Sequence, residues 1–476
     1  MPAFDAILRT SNYIGGTWRS GGALHAVHDK YDGRLLARVP LATPAEMDEA
    51  IAAAAAAGAT LHDWSAGQRS AALETLATLL QAQEEAFAQL ICAEAGKPIS
   101  YARAEVSRGQ LTLRTAAAEA LRFGGEYVNI DYGAGAGRSA FVQRFPVGPV
   151  AAISPFNFPL NLALHKVAPA LAVGCPVVLK PSPLAPLTAL ALAALAETAG
   201  FPPGALNVLL CENDVAERMV RDERLRMLSF TGSPQVGWHL KSLSGHKRVC
   251  LELGGNAAVL VDAGADLEDA ARKTAIGTYL YAGQVCISTQ RIFVHEAVLA
   301  PFTELLLHEI DALPSGDPRL DTTVNGPIIS PEHLQRISSW VNEALDSGAT
   351  LLQGGHSIDK RIYAPTLLTH TRGDMKVVAE EVFGPVATIE AVPDMAAGFR
   401  AINDSRFGLQ AGVFTSDLAH MKQAHRQLEV GAVLINQVPG FRLDPMPYGG
   451  VKESGLGREG LRYAMEEMTE PRLLVF

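Results

Sequence analysis

Residues 149–180 read PVAAISPFNFPLNLALHKVAPALAVGCPVVLK. The run PVAAIS (149–154) has no polar alternation, as expected of a strand buried on both faces. A helical stretch follows over 160–173, and then a second apolar strand, PVVLK (176–180). The alternation continues outward from there. A helix over 186–199, the strand NVLL (207–210), a helix over 214–221 and the strand RMLSF (226–230) come next. A helix over 234–243 and the strand KRVCLEL (247–253) complete the series. Strands that alternate with helices make an α/β fold with a parallel, doubly wound sheet. Such sheets bind ligands at the carboxyl ends of their strands.

Upstream, helical periodicity over 66–95 stops at Gly96-Lys97-Pro98, and a second helix covers roughly 103–122. The Ala-rich run at 50–59 reads as a helix end, since Ala is the best helix former. YGAGAGR (132–138) reads as a loop between extended pieces. A second α/β stretch runs from about 258 to 430, and no repeat of fixed period is present.

The chain has 476 residues, which suggests two or three domains. Its net charge of −10 argues against nucleic acid or an anionic membrane surface as a partner. A local basic pocket can still hold an anionic substrate. The five cysteines are scattered, with no CxxC. They form neither a disulfide framework nor a zinc pattern, so no metal is expected, and they fit a reducing cytoplasm. No signal peptide and no apolar run long enough to span a membrane is evident.

One match to a dinucleotide fingerprint is set aside. Gly455-Leu456-Gly457-Arg458-Glu459-Gly460 spells G-x-G-x-x-G, but too little chain follows for a βαβ unit, and it reads as a glycine-rich turn. SFTGSPQVG (229–237) is better placed. A strand ends at Phe230, Gly232 opens a helix turn and Gly237 closes it, so free N–H groups at the helix start could take a phosphate.

GQVCIST (283–289) sets a thiol between a predicted helix (266–281) and the strand RIFVH. Cys286 is either a small buried hydrophobe or a nucleophile on a turn or helix start, where N–H groups favour a thiolate. Three other stretches carry candidate groups: SPFNFP (154–159) follows a strand end, LELGGN (251–256) ends a strand, and EEVFGPV (380–386) puts Glu381 and Phe383 before Gly384-Pro385.

With VVLKPS, FTGS and MPYGGVKESGLGRE, these stretches stand in an order that resembles the aldehyde dehydrogenase superfamily, and the likeness runs over nearly the whole chain. The resemblance implies a Rossmann-like NAD(P)-binding domain over 1–123 and 143–254 and an α/β catalytic domain over 255–445. It also implies an oligomerisation arm and C-terminal segment over 124–142 and 446–476. Cys286 is then the nucleophile, Glu252 the general base and Asn157 an oxyanion donor. Such a thiolate adds to an aldehyde, a hydride leaves to the nicotinamide, and water hydrolyses the resulting thioester.

By the same resemblance Lys180 holds the adenosine ribose, or a 2'-phosphate, and Ser233 faces the pyrophosphate beside Gly232 and Gly237. Glu381 holds the nicotinamide ribose and Phe383 packs near the ring. Ser154, Phe156, Ser182, Leu253 and Lys166 complete the cofactor set. Many NAD-preferring relatives have Glu where this chain has Pro183. Loss of that carboxylate favours NADP over NAD, and both stay open.

Arg108, His165 and Arg442 sit on elements expected to line the substrate tunnel, with Phe158, Val285, Ile287 and Tyr448 as its walls. Guanidinium groups bind small anions by paired hydrogen bonds. The expected substrate is a small anionic aldehyde such as succinate semialdehyde. Lactaldehyde, glyceraldehyde-3-phosphate, sulfoacetaldehyde and phosphonoacetaldehyde are the alternatives, and a catalytically silent structural homologue is the alternative from another class. RLLVF (472–476) reads as an edge strand needing a partner, so a homodimer or homotetramer is expected.

Overall fold

The computed structural model describes residues 4–476. Its first sheet has eight strands. Five of them, Leu206–Val208, Val177–Lys180, Val150–Ile153, Met227–Thr231 and Arg248–Glu252, lie side by side and parallel, in that order. Every residue of Val150–Ile153 is buried, because helices cover both faces of the sheet. One of them, Asn161–Val173, is buried along its whole length. From Val150–Ile153 the chain moves to one side and later returns to the other with Met227–Thr231. That reversal opens a crevice at the carboxyl ends of these two strands.

A second sheet of seven strands carries the other half. Its central strands, Arg291–His295, Ala258–Val261 and Gln410–Phe414, are parallel. A third, three-stranded sheet joins Glu126–Val128, Ala140–Pro146 and Thr469–Val475. The chain between the last two sheets returns to the first one. Gly455–Leu456 pairs antiparallel with Leu251 and Glu252, so this stretch is an edge strand and turn rather than a cofactor loop.

The helix boundaries differ from expectation in two places. The periodic stretch 66–95 is two helices, Ala66–Ala82 and Glu84–Ala95, because Gln83 leaves helical geometry at φ −119° and ψ 21°. The Ala-rich run lies inside the helix Pro44–Asp63, whose start is fixed by a reciprocal capping box between Thr43 and Glu46.

Candidate active site

Cys286 sits on a tight turn, and no helix begins there. Three successive residues before it, Tyr281, Ala282 and Gly283, have left-handed backbones, with φ of 53°, 54° and 65°. A side chain at Gly283 would strike the carbonyl of Gly384, its Cβ 2.2 Å from that oxygen. The buried Gln284 side chain pins the turn. It donates to the carbonyl of Pro327 at 3.1 Å and accepts from the Ile329 N–H at 2.9 Å. Strained backbone held this firmly is common where one side chain must be aimed.

Asn157 lies on the loop after Val150–Ile153. Its side-chain amide donates to the Gln284 carbonyl at 3.0 Å, which fixes the amide and leaves a second N–H to give. Glu252 ends the strand Arg248–Glu252 and is buried. Neither of its carboxylate oxygens has a hydrogen-bond partner among the described residues. Burial, and then the charge of Glu459, push its carboxyl well above the usual range. A buried, unpaired carboxyl of raised pKa is suited to taking a proton. The Cys286 thiol is enclosed, and burial pushes it up to about 12, opposed by the Tyr448 hydroxyl.

Asn157, Glu252 and Cys286 share one end of a cleft of about 750 Å³. Lys180, Ser182 and Pro183 line the other end, and Gly232 and Ser233 stand between. Ser154, Phe156, Leu253, Glu381 and Phe383 also line it. The Ser233 side chain accepts from the Val236 N–H and caps the helix Pro234–Leu243, whose start, at Ser233, Gln235 and Val236, lines the cleft. Glu381 is half-buried, and desolvation pushes its carboxyl up to about 7, against a hydrogen bond from the Gly255 N–H. A Cβ at 254 would stand 2.0 Å from a Glu381 oxygen, so any larger residue there must displace that carboxylate.

This cleft fits a nicotinamide dinucleotide. Lys180 and Ser182 would hold the adenosine end, the helix start at Ser233 the pyrophosphate, and Glu381 the ribose nearest Cys286. Two expected contacts lie elsewhere. Lys166 is wholly buried and donates to Ser229, Thr231 and Glu459. Gly237 does not line the cleft. Its bare Cα lets the helix close on Leu253, whose methyl a Cβ would meet at 2.4 Å.

The expected substrate residues lie on the other side of Cys286. Val285, Ile287 and Tyr448 pack with Leu409 around the thiol. Phe158 lies under the Lys97 ammonium, 3.4 Å from ring centre to nitrogen. Arg108 donates to Asp444 at 2.7 and 3.1 Å, and Arg442 donates to Glu459 at 3.2 Å. His165 bridges the two carboxylates, with Nε2 3.2 Å from Asp444 and Nδ1 3.5 Å from Glu459. Against its burial, Lys166, His165 and Arg442 hold Glu459 well below the usual carboxylate range. Asp444 is held low in the same way by His165 and Arg108. Three cations, Arg108, Lys166 and Arg442, thus face two ionised carboxylates.

Several residues here carry no signal of their own in the sequence. Glu459 sits in the glycine-rich stretch and arrives through the edge strand Gly455–Leu456. His333, Arg336 and Trp340 line the cleft from the helix Pro331–Asp346, where they read as an ordinary exposed face. Gln290 ties down the Glu381 loop. It donates to the carbonyls of Val377 and Glu380 and accepts from the Val382 N–H.

The model of the Aldehyde dehydrogenase family matches residues 18–474. The chain is 42% identical to a 3-sulfolactaldehyde dehydrogenase of Priestia aryabhattai, covering 100% of this chain and 99% of that protein. Among solved structures it is similar to aldehyde dehydrogenase 21 from Physcomitrella patens in complex with the reaction product succinate. The TM-score is 0.95 and the identity 38%, over 98% of each chain. It is also similar to the glyceraldehyde-3-phosphate dehydrogenase GapN of Methanocaldococcus jannaschii complexed with NADP. There the TM-score is 0.92 and the identity 36%, over 96% of this chain and 99% of that one.

Proposed function

Because the chain belongs to the aldehyde dehydrogenase family, whose members oxidise aldehydes with NAD or NADP, we propose that its substrate is a short aldehyde with an anionic end, of the succinate semialdehyde type. One observation carries this reading. Arg108, Lys166 and Arg442 outnumber Asp444 and Glu459, Arg442 among them acts on the thiol and lies over Tyr448, and Glu252 is held toward its neutral form. Buried cations need partners, and a substrate anion completes the set. The similarity to a sulfolactaldehyde dehydrogenase favours a second reading, a sulfonate in place of the carboxylate.

In this reading Cys286 adds to the aldehyde carbon, and the new oxyanion takes hydrogen bonds from the Asn157 amide and the Cys286 N–H. The bound cofactor supplies a hydride acceptor. The thioester left on Cys286 is hydrolysed by a water whose proton passes to Glu252.

The Lys180 ammonium, and Pro183 where an acidic residue would repel a 2'-phosphate, favour NADP; Glu217, which also lines the cleft, is engaged by His239. The free thiols suit the cytoplasm. Among the described residues no helix is long and apolar enough to cross a membrane. Thr469–Val475 is an edge strand with Leu473, Leu474 and Val475 exposed, so a second copy pairing with that sheet gives a homodimer or a dimer of dimers. Light scattering at micromolar concentration should report a multiple of the 50.5 kDa chain, and a monomer contradicts the assembly.

Kinetics with matched anionic and neutral aldehydes, each with both cofactors, test the substrate and cofactor readings together. NADP should give the larger kcat/KM. Arg442→Leu should cost the anionic aldehyde about 2–4 kcal/mol of transition-state binding and a neutral aldehyde of equal length little. Equal losses on both substrates would make Arg442 structural.

A further inference from the structure

We propose that the Tyr448 hydroxyl is the hydrogen-bond donor that eases ionisation of Cys286 for attack. The proposal rests on the reading of Cys286 as nucleophile. The Tyr448 oxygen lies 3.1 Å from Cys286 Sγ, and the thiol is its only partner among the described residues. Since Cys286 sits on a turn, no helix start supplies N–H groups to a thiolate there. The hydroxyl takes that place.

Three features make it a strong donor. The Arg442 guanidinium lies over the Tyr448 ring, 3.5 Å from its centre, and a cation on the π face polarises the O–H bond. Burial keeps the phenol protonated, with its pKa well above the usual value, so it has a hydrogen to give. Val285, Ile287 and Leu409 enclose the pair, and a charge-assisted bond counts for more where water is excluded.

The ring cannot drift. Tyr448 exchanges two backbone hydrogen bonds with Glu459, at 3.0 and 2.6 Å, and Glu459 in turn holds Arg442. The next residue, Gly449, has φ 157° and lies against Glu252, where a Cβ would come within 2.8 Å of an Oε atom. The titratable and charged groups facing the thiol are therefore Tyr448, Glu252, Glu381 and Arg442. Of these, only Tyr448 is hydrogen-bonded to the sulfur.

The hydroxyl acts in two opposing ways. Lowering a thiol pKa by one unit gives tenfold more thiolate at neutral pH but makes each thiolate roughly threefold less nucleophilic. The net gain is about threefold when the thiol is mostly protonated, and it reverses at high pH.

The test uses the full chain and the disulfide probe 4,4'-dithiodipyridine. The thiolate attacks one probe sulfur, a mixed disulfide forms, and 4-thiopyridone leaves carrying the displaced electron pair. Cys286→Ala identifies the Cys286 phase, since the other four cysteines are buried. In Tyr448→Phe the rate profile should move up by about one pH unit. The variant should react about threefold slower through the neutral range, where the buried thiol is mostly protonated in both proteins. Lost access or a loosened site would slow Leu409→Met as well. Leu409→Met alters the same apolar cluster without touching the hydroxyl and should leave the profile in place. An unmoved profile in Tyr448→Phe, or an equal displacement in Leu409→Met, overturns the proposal. The probe needs no turnover. Dehydrogenase activity surviving in Cys286→Ala would therefore defeat the nucleophile reading separately.

Discussion

Cys286→Ala should lower kcat/KM for every aldehyde by roughly 10⁴-fold or more, with cofactor affinity preserved. The cofactor contacts explain the second half of this expectation. Lys180, Ser233 and Glu381 line the cleft independently of the thiol, and the turn before Cys286 is pinned by Gln284 rather than by the cysteine. Alanine removes the sulfur and leaves that frame standing. Fluorescence titration with each cofactor, beside absorbance at 340 nm during turnover, separates the two effects. A variant that keeps more than a few per cent of its activity would show that the sulfur does not attack the substrate.

The second large effect is expected at Glu252. Glu252→Gln removes the proposed base for the hydrolytic half of the reaction and should slow steady turnover by about 10²- to 10⁴-fold. The first half should survive, so a burst of reduced cofactor precedes a slow steady rate. The pH dependence follows from the same group. In the parent its carboxyl is raised well above the usual range, and below that raised value it is protonated and cannot accept a proton. Deacylation should therefore climb as pH rises through it, and Glu252→Gln should lack that climb. If burst and steady rate fall together, Glu252 also acts before the thioester forms.

Much of this architecture can be read directly from the residues. The uninterrupted apolar strands PVAAIS and PVVLK permit little except a sheet buried on both faces, and their carboxyl ends carry Asn157 and Lys180. Cys286 and Glu252 are legible because each ends a recognisable local pattern. The charge network beside them is less so. Glu459 is remote in sequence, and the antiparallel pairing of Gly455–Leu456 with Leu251 and Glu252, together with the Tyr448–Glu459 bridge, brings it alongside. The family resemblance implies Lys166 as a cofactor contact, yet its side chain turns inward to Glu459. Arg108 and Arg442 could be expected near the substrate, but not that Asp444 and Glu459 already hold them. Such partnerships depend on tertiary placement, which no local pattern encodes. The break at Gln83 escapes for the opposite reason, since apolar periodicity runs straight through it.

The most direct test of covalent catalysis is a mass measurement on the Glu252→Gln variant, mixed with aldehyde and cofactor and quenched in acid at the end of the burst. One acyl group should be found per active site, on the peptide that contains Cys286, in an amount equal to the reduced cofactor formed. A full burst with no acyl group on that peptide, or with the group on another residue, would contradict the thioester at Cys286.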